Sequence, residues 1–265
     1  MQVACGQCLG CRLERQRQWS MRIMHEASLH DENSFLTLTY DDTHLPEDRS
    51  LRKRDLQLFF KRLRKAVDAK LRYFAVGEYG ARNGRPHYHS CVFGYDPPDK
   101  RYWTSRKGYK TFLSEEVQRA WRLGLHEVGS LTNNSAKYVA GYVLKKVRNA
   151  PGRSTVDVVD SDSGEVFAVA PEFATMSRRP GIGRGWIERY HEEVVPGAEV
   201  VVNGSVGKAP LYYDNFLGEM DPEGLKGLKV ERRRRRKRRD ETPERLEVRE
   251  KVTASRLNVY ARREL

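Results

Sequence analysis

A pair of β-prone segments separated by a short glycine-rich loop is the strongest constraint on the fold of this chain. Residues 71–79 and 86–95 are rich in aromatic and β-branched side chains, and the loop between them reads Gly-Ala-Arg-Asn-Gly-Arg. Glycine and asparagine favour the backbone conformations of tight turns. The pattern therefore predicts a β-hairpin. With a four-residue loop at 81–84, Glu78 pairs with His87 across the two strands.

The order of the other predicted elements indicates the fold class. Strands and helices of ordinary length precede and follow the hairpin, which predicts an α+β domain with a central, mostly antiparallel sheet flanked by helices. A doubly wound dinucleotide-binding fold is excluded, because no glycine-rich phosphate loop follows the first strand. The predicted elements are helix 11–30, strand 35–40, helix 54–69, the hairpin, helix 114–123, strand 126–131, helix 134–148 and the strand pair 155–158 and 165–169.

The second strand of the hairpin carries His87 and His89 two residues apart. Side chains at i and i+2 of a strand lie on one face, so both imidazoles point the same way. Glu78, opposite His87, lies on that face as well. Two imidazoles and one carboxylate with open positions suit a catalytic divalent cation better than a closed structural site. The alternative is a pair of surface histidines on an exposed sheet face.

The predicted helix 134–148 has one polar and one apolar side. At about 100° per residue, Tyr138, Tyr142 and Lys145 share one side. The apolar side is predicted to pack on the sheet, with the phenols directed away from it; its residues are Val139, Ala140, Val143, Leu144 and Val147. Taken alone, two tyrosines four residues apart are more often a packing pair than nucleophiles.

A metal site beside the tyrosines gives them a chemical role. A phenol has a pKa of about 10, so it attacks phosphorus at neutral pH only if the phenolate is stabilised and the phosphate is polarised. A divalent cation supplies the polarisation, and Lys145 is the candidate for charge stabilisation. The product is a phosphotyrosine ester, which keeps the energy of the broken bond for a later rejoining. Two phenols, Tyr138 and Tyr142, allow two successive transfers.

The charge balance indicates a polyanionic partner. Forty-nine Lys and Arg against 36 Asp and Glu give a net charge of +13 and a pI of about 9.6, which is typical of nucleic-acid-binding proteins. Much of the excess lies at 221–265, where residues 232–239 are all basic. That run is either a nucleic-acid contact or a solvated tail. No apolar run is as long as a membrane span, so a soluble intracellular protein is expected.

Three cysteines at the amino end, Cys5, Cys8 and Cys11, follow the pattern C-x2-C-x2-C. In an intracellular protein this spacing favours a metal over a disulfide, and Zn²⁺ is the expected ion. A tetrahedral zinc site has four ligands, and the candidates for the fourth are Cys91 and His25. If the segment is helical, the three cysteines instead form one stripe of thiols packed on the core.

Several motifs resemble those of known DNA-processing proteins. Residues 35–40 (Phe-Leu-Thr-Leu-Thr-Tyr), 84–89 (Gly-Arg-Pro-His-Tyr-His) and 138–146 (Tyr-Val-Ala-Gly-Tyr-Val-Leu-Lys-Lys) resemble the HUH superfamily of single-strand endonucleases. More closely, the chain resembles the replication initiators of small single-stranded DNA phages, the microviruses of the gokushovirus type. The segments that carry this second resemblance are Cys-Gly-Gln-Cys-Leu-Gly-Cys-Arg at 5–12, Gly-Glu-Tyr-Gly at 77–80 and Met-Ser-Arg-Arg-Pro-Gly-Ile-Gly at 176–183.

The resemblance implies an initiator of rolling-circle replication. Such proteins nick one strand of the replicative form at the origin, stay linked through tyrosine to the 5′ phosphate, and later rejoin the displaced strand into a circle. By motif position it implies that His87 and His89 bind the metal, with Glu78 as third ligand, and that Tyr138 and Tyr142 are the nucleophiles. It also implies magnesium or manganese as the ion, single-stranded and replicative-form DNA as the substrate, host helicase and polymerase as functional partners, and the host bacterial cytoplasm as the location.

Further expectations concern DNA contacts and domain organisation. Basic side chains near the motifs are expected to contact DNA: Arg85, Lys137, Lys146, Arg178 and Arg179. The glycines at 181–185 belong either to a phosphate-contacting loop or to a tight turn. Four segments are expected: an N-terminal cysteine motif and helix at 1–33, an HUH nicking domain at 34–150, a C-terminal extension packed on the core at 151–220, and a basic, helical or disordered tail at 221–265.

Two alternatives to the phage initiator stay open. A transposase or plasmid relaxase of the same superfamily shares the chemistry and differs in the DNA that it serves, although residues 176–183 favour the phage initiator. A non-catalytic nucleic-acid-binding protein would use sheet aromatics, Arg85, Lys137 and the tail as a stacking and phosphate surface. Its binding would survive chelation of the metal and loss of both phenols.

Overall fold

A seven-stranded antiparallel sheet forms the centre of the larger part of the chain. The computed structural model describes residues 5–67, 70–106, 108–145, 155–194, 197, 199–202, 204–234 and 241–264. The strands of the large sheet, numbered along the chain, are β1 (Asn33–Tyr40), β2 (Arg72–Tyr79), β3 (Pro86–Phe93), β4 (Arg101–Arg106), β5 (Tyr109–Leu113), β6 (Gly124–Ser130) and β9 (Phe173–Met176). Their spatial order is β4-β5-β6-β1-β3-β2-β9. Two further sheets pair β7 (Val156–Val159) with β8 (Val166–Val169) and β10 (Glu199–Val202) with β11 (Ser205–Lys208).

Helices flank the large sheet, so the predicted α+β class is confirmed. The helices of the two units together are α1 (Leu9–Ala27), α2 (Lys53–Ala66), α3 (Glu115–Ala120), α4 (Asn133–Lys145), α5 (Arg184–Val194), α6 (Tyr212–Met220), α7 (Pro222–Arg234) and α8 (Pro243–Glu264). Among the described residues, none of these helices combines the length and the apolar character that a membrane crossing requires.

One face of the sheet is covered by α2 and α3. The sequence of α2 places apolar residues at helical spacing, and all four are buried: Leu56, Phe59, Phe60 and Leu63. They pack on sheet residues of the same face that include Leu36, Leu38 and Tyr88. Burial of each large apolar side chain contributes about 1.5 to 3 kcal/mol. This cluster is the larger of the two cores and holds α2 against the middle of the sheet.

The opposite face, which carries the two histidines, is covered by α1 and α4 over only part of its width. Ile23 of α1 and Val139 of α4 are fully buried against Phe74, Cys91 and Phe93. Helix α4 packs on β2, β3 and β9. The strands on the other side of β1 make no comparable packing contact with α4 among the described residues.

The structure contains strands and helices that the sequence patterns missed. The hairpin of β4 and β5 was not predicted because most of its side chains are exposed and its strands lack the alternation of apolar and polar residues that marks a half-buried strand. Strand β9 escaped notice because it has only four residues, Phe173–Met176. Where we expected helix 134–148, the described helix is Asn133–Lys145. Beyond residue 210, where the patterns gave no assignment, the chain forms α6, α7 and α8.

The chain divides into two compact units. One is Gln16–Arg189, which contains the large sheet, and the other combines Met1–Arg15 with Tyr190–Leu265. Within the second unit, Arg232 of α7 makes a two-point ion pair with Asp214 of α6, with N–O distances of 2.6 and 3.0 Å. Residues 232–234 of the basic run form the end of α7, and residues 235–239 lie outside the described residues. The four-segment division stays a prediction.

Candidate functional site

The hairpin of β2 and β3 has the predicted register. Glu78 lies opposite His87, and the pairing runs to Tyr79 and Pro86 before the turn. The turn is closed by two backbone bonds of 3.0 Å, from Gly80 to the Arg85 carbonyl and from Gly84 to the Gly80 carbonyl. Gly84 has φ +59°, and a Cβ there would lie 2.5 Å from a methyl carbon of Val158. Only glycine fits this turn without strain.

Glu78, His87 and His89 converge on one point. Oε1 of Glu78 lies 2.8 Å from Nε2 of His87 and 2.9 Å from Nε2 of His89. One ligand atom from each residue lies within 4.8 Å of the other two. Glu78 and His89 are buried, and His87 is half-buried. The three predicted metal ligands therefore form one cluster at the end of the hairpin.

The outer nitrogen of each imidazole is hydrogen-bonded to an oxygen. His87 Nδ1 lies 3.0 Å from the carbonyl oxygen of Arg85, which can only accept, so Nδ1 carries a proton. His89 Nδ1 lies 3.0 Å from the hydroxyl of Thr37, directly across the β1–β3 ladder. Both Nε2 atoms consequently point inward toward Glu78. No motif pointed to Thr37 as a partner of the histidines, although the alternation of residues 35–40 puts it on the histidine face.

This arrangement fits a divalent cation. Carboxylate oxygens and imidazole nitrogens are both metal ligands, and here Oε1 of Glu78 and the Nε2 atoms of His87 and His89 lie side by side. Oε2 of Glu78 and Nε2 of His89 are buried without a well-aligned hydrogen-bond partner among the described residues. Buried polar atoms in this state are costly unless a metal ion or another group satisfies them. The donor set of two nitrogens and one carboxylate leaves coordination positions open.

The ionisation states of the cluster suit a cation as well. Burial raises the pKa of Glu78, but hydrogen bonds and charge from His87 and His89 outweigh burial and hold this pKa at about 2. Burial lowers the pKa of His89. At neutral pH Glu78 is therefore a carboxylate and His89 is neutral, the forms in which both residues bind metals.

The two tyrosines of α4 reach this cluster. The hydroxyl of Tyr138 donates to Oε1 of Glu78 at 2.8 Å, and the hydroxyl of Tyr142 donates to that of Tyr138 at 2.9 Å. The Tyr138 ring also meets the His89 ring edge-on, with centroids 5.1 Å apart. Tyr138 is 45% exposed, so it remains accessible from solvent although its hydroxyl contacts Glu78.

The expectation that the phenols point away from the sheet was wrong. Val139 and Ala140 pack on the sheet as predicted, yet Tyr138 still contacts Glu78 of β2. A tyrosine side chain is long and tilts toward the N-terminus of its helix, so its hydroxyl reaches back to the strands beside the helix. The side chains of Val143, Leu144 and Lys145 are outside the description, and Lys146 and Val147 lie outside the described residues as a whole.

The environment keeps the Tyr138 phenol protonated. Burial, followed by the charge of Glu78 and the hydrogen bond to it, raises the pKa of this phenol above its ordinary value. Glu172, which precedes β9, raises it further through its charge, and its carboxylate lies 3.5 Å from the amide nitrogen of Tyr79. No sequence pattern pointed to Glu172, because its position depends on the short strand β9.

The basic residues expected to contact DNA are scattered. Arg85 donates to the carbonyl of Tyr40 at 2.7 Å and pairs with Asp42, so its guanidinium fastens the end of the hairpin. Lys137 is exposed on α4 next to Tyr138. Arg178 and Arg179 are exposed, but they follow the end of β9 that lies farthest from Glu78. Their contact with DNA at this site stays a prediction, and Lys146 lies outside the described residues.

A second cluster of metal-binding side chains lies at the amino end. The sulfur atoms of Cys5, Cys8 and Cys11 lie within 4.8 Å of one another, and those of Cys5 and Cys11 are 3.9 Å apart. Cys5 and Cys8 are exposed and precede α1, so the alternative of a thiol stripe packed on the core is wrong.

Neither nominated fourth ligand belongs to the cysteine cluster. Cys91 is fully buried in the core beneath α1 and α4. His25 is buried and stacked on Trp186, with ring centroids 3.7 Å apart. Both side chains are occupied by packing within the unit Gln16–Arg189. At the amino end, the group of side chains that could hold a metal ion contains the three cysteines alone among the described residues.

Comparison with known proteins places these features in a family. Residues 33–147 match the family model of the replication-associated protein ORF2. The chain is 36% identical over 229 residues to replication-associated protein VP4 of Bdellovibrio phage phiMH2K, covering 83% of this chain and 68% of the relative. It is 32% identical to replication-associated protein ORF2 of Spiroplasma virus 4, covering 80% of this chain and 66% of the relative.

A third relative extends the same pattern. Replication-associated protein ORF4 of Chlamydia phage 1 is 31% identical, and the match covers 83% of this chain and 55% of the relative. The chain thus spans about half to two thirds of the length of these relatives. No solved structure matches it. The chain belongs to the family of phage replication-associated proteins, in the group of microvirus replication initiators of the gokushovirus type.

Proposed function

We propose that this protein is a metal-dependent enzyme that nicks and rejoins single-stranded DNA at a phage origin. The observation that carries the proposal is the position of the Tyr138 hydroxyl, 2.8 Å from the carboxylate oxygen on which His87 and His89 also converge. A nucleophile next to an open cation site is the arrangement that phosphoryl transfer to tyrosine requires.

Each residue has a role in this reaction. Glu78, His87 and His89 would hold the ion, Mg²⁺ or Mn²⁺, which when bound polarises the scissile phosphate. The Tyr138 oxygen attacks phosphorus, so a phenol O–P bond forms and the bond to the 3′ oxygen breaks. The phenol loses its proton and the departing 3′ oxygen gains one. The product is a 5′-phosphotyrosine and a free 3′ hydroxyl.

Tyr142 is positioned for a second transfer. Its hydroxyl lies 2.9 Å from that of Tyr138, so both phenols have access to the same phosphate position. In the rejoining step a free 3′ hydroxyl attacks the phosphotyrosine, so the tyrosine leaves and the strand closes into a circle. The second tyrosine allows another cycle without release of the protein. Lys145 follows on the same helix as the candidate for stabilising the phenolate charge.

The biological setting of this activity follows from the family. The substrate is origin DNA in single-stranded and replicative forms, the free 3′ hydroxyl serves the host polymerase, and a host helicase unwinds the nicked duplex. The host bacterial cytoplasm is the corresponding location. A transposase or relaxase would share the chemistry, but all three relatives are replication-associated proteins, which favours replication.

The experiment that tests the proposal is a covalent-adduct assay. Labelled single-stranded oligonucleotides from the origin are incubated with the protein in Mn²⁺ or EDTA and separated under denaturing conditions. We expect a metal-dependent adduct that disappears in the Tyr138→Phe/Tyr142→Phe double variant and in His87→Ala. Binding without an adduct on any origin strand would show a non-catalytic DNA-binding protein instead.

The cysteine cluster is proposed as a separate site for one Zn²⁺. Tetrahedral coordination at a Zn–S distance of about 2.3 Å separates two sulfurs by about 3.8 Å, and Cys5 and Cys11 are 3.9 Å apart. The backbone amides of Gln7 and Cys8 donate to the Cys5 sulfur at 3.4 and 3.2 Å, which stabilises a thiolate. Water or another ligand completes the shell.

Metal analysis and cobalt substitution test the zinc site without any need for activity. We expect one zinc per chain, and a thiolate-to-cobalt absorption band after exchange for Co²⁺. Cys8→Ser should remove both signals, whereas His89→Ala should keep them because it alters the other cluster. Equal zinc content in Cys8→Ser and the unaltered protein would refute the site.

A further inference from the structure

Exposed aromatic side chains are concentrated on one hairpin beside the candidate site. Among the described residues, the exposed aromatic side chains are Tyr102, Trp103, Tyr109 and Tyr138. Tyr138 is the candidate nucleophile. The other three, exposed at 61%, 57% and 56%, all belong to the β4–β5 hairpin. Large aromatic side chains are seldom left in water without a binding role, since burying them is favourable.

The same hairpin carries only positive charge. Residues 100–113 include five Lys or Arg and no Asp or Glu. Arg101 pairs with Glu115, but Arg106 and Lys110 have no ion-pair partner among the described residues. Alternating aromatic and basic side chains at the edge of a sheet match the chemistry of single-stranded DNA, whose bases stack on rings and whose phosphates attract cations.

The register of the sheet places part of the hairpin on the histidine face. Glu127 of β6 lies opposite Thr37, which lies opposite His89, so these three share a face. Phe112 lies opposite Val128 on the other face, so Thr111 and, two residues away, Tyr109 face the histidine side. Arg106 pairs with Tyr109 across the hairpin and shares its side.

This half of the histidine face is open and continuous with the tyrosines. Helix α4 packs mainly on β2, β3 and β9, and on the histidine face Tyr109 of β5 and Leu125 of β6 are exposed. Asn134, in the first turn of α4, donates to the Tyr109 hydroxyl at 3.1 Å. Tyr138 lies one helical turn beyond Asn134, so a path of exposed groups leads from Tyr109 to the candidate nucleophile. Glu127 is the acidic residue in this half, and it lies toward His89 rather than on the hairpin.

We infer that the β4–β5 hairpin binds the single-stranded DNA that flanks the cleaved phosphate. Tyr109 stacks on a base from the histidine face, and Arg106, on the same side, contacts a phosphate. Trp103, which is exposed and unpaired at the bulge between Tyr102 and Thr104, stacks on a neighbouring base. This inference deepens the proposed nicking function, since it names the surface that guides the substrate strand to Tyr138. The bound chemistry is a flexible strand with accessible bases, because a paired duplex hides its base faces from stacking.

The test measures binding separately from chemistry. The full chain with Tyr138→Phe and Tyr142→Phe is titrated in EDTA against a fluorescein-labelled oligothymidylate of about 20 nucleotides, and anisotropy is recorded. In this background we expect Trp103→Leu and Tyr109→Ala each to weaken binding about 5- to 150-fold, the range for loss of one stacked base. Trp103→Phe and Tyr109→Phe keep a ring and should stay within about threefold of the background.

A strand that lacks bases supplies the matched control. An abasic oligonucleotide of equal length should bind the background protein more weakly than oligothymidylate, and Trp103→Leu should add little to that loss because the stacking partner is already absent. The inference would be overturned if Trp103→Leu and Tyr109→Ala bound oligothymidylate as tightly as the background protein and had unchanged unfolding midpoints. Equal losses on abasic and base-containing strands would overturn it as well.

The outcome is independent of the nicking assay. Because the readout needs neither metal nor phenol, a protein that forms no adduct can still show hairpin-dependent binding. In that case the proposed function fails and the binding surface stands. If the protein forms an adduct but its hairpin variants bind normally, the proposed function stands and the binding surface fails.

Discussion

Tyr138 and Glu78 are joined by a hydrogen bond of 2.8 Å that links helix α4 to the hairpin of β2 and β3. Tyr142 reaches the cluster through the Tyr138 hydroxyl, to which its own hydroxyl donates at 2.9 Å. The two phenols are therefore inequivalent in this structure. Tyr138 is the one adjacent to the oxygen on which both imidazoles converge.

This inequivalence predicts the order of the two transfers. We expect Tyr138→Phe to reduce the rate of the first adduct by roughly a thousandfold or more, because the nucleophilic oxygen nearest the metal ligands is lost. Tyr142→Phe should leave that first rate within about threefold and impair the rejoining of a second strand. Single-turnover adduct formation measures both. A faster first adduct in Tyr138→Phe than in Tyr142→Phe would contradict the assignment.

A second prediction concerns the hydroxyl that orients His89. Thr37→Val removes the hydroxyl that is hydrogen-bonded to Nδ1 and leaves the shape of the side chain nearly unchanged. Loss of such an orienting partner lowers metal affinity by about 10- to 100-fold. Titration with Mn²⁺, followed by electron paramagnetic resonance of the free ion, measures the change. Thr39→Val, on the same strand and face, is the matched control and should bind Mn²⁺ like the unaltered protein.

The cluster of Glu78, His87 and His89 was predictable from the sequence because local rules determine the positions of these residues. A glycine-containing turn sets the register of the hairpin, and the period of two along a strand then puts Glu78, His87 and His89 on one face. Both rules act over a few residues. The confirmed pairing of Glu78 with His87 follows from them without any knowledge of the rest of the fold.

The surroundings of the ligands were not predictable in the same way. The contact of Tyr138 with Glu78 depends on how α4 lies across the sheet, and helix periodicity alone directed the phenol the wrong way. Glu172 is brought near by a four-residue strand with no pattern of its own. The β4–β5 hairpin lacks the apolar alternation that marks a half-buried strand, since its aromatic residues remain exposed.

A third prediction uses the buried histidine of α1. Burial lowers the pKa of His25 to about 4, below the value of about 6.5 in an unfolded chain. Between these values the unfolded state binds more protons, so this residue destabilises the fold as the pH falls from about 6.5 toward 4. His25→Phe keeps a ring stacked on Trp186 and removes the titration.

The comparison is made by urea unfolding at pH 7 and at pH 4.5. The free energy of unfolding of the His25→Phe protein should fall by about 2 kcal/mol less than that of the unaltered protein over this range. Because both proteins keep His89, its titration cancels in the difference. Parallel pH dependences of the two proteins would show that His25 is not neutral in the folded state.

The last prediction concerns the core that supports the sheet from the other side. Leu63 of α2 is fully buried in the larger hydrophobic cluster, so Leu63→Ala removes apolar contacts and leaves a cavity. The expected loss in the free energy of unfolding is about 2 to 5 kcal/mol. Leu125→Ala is the matched control in the same unit, because Leu125 is 69% exposed and its truncation should cost less than about 0.5 kcal/mol. Similar unfolding midpoints for the two variants would show that α2 does not pack on the sheet as described.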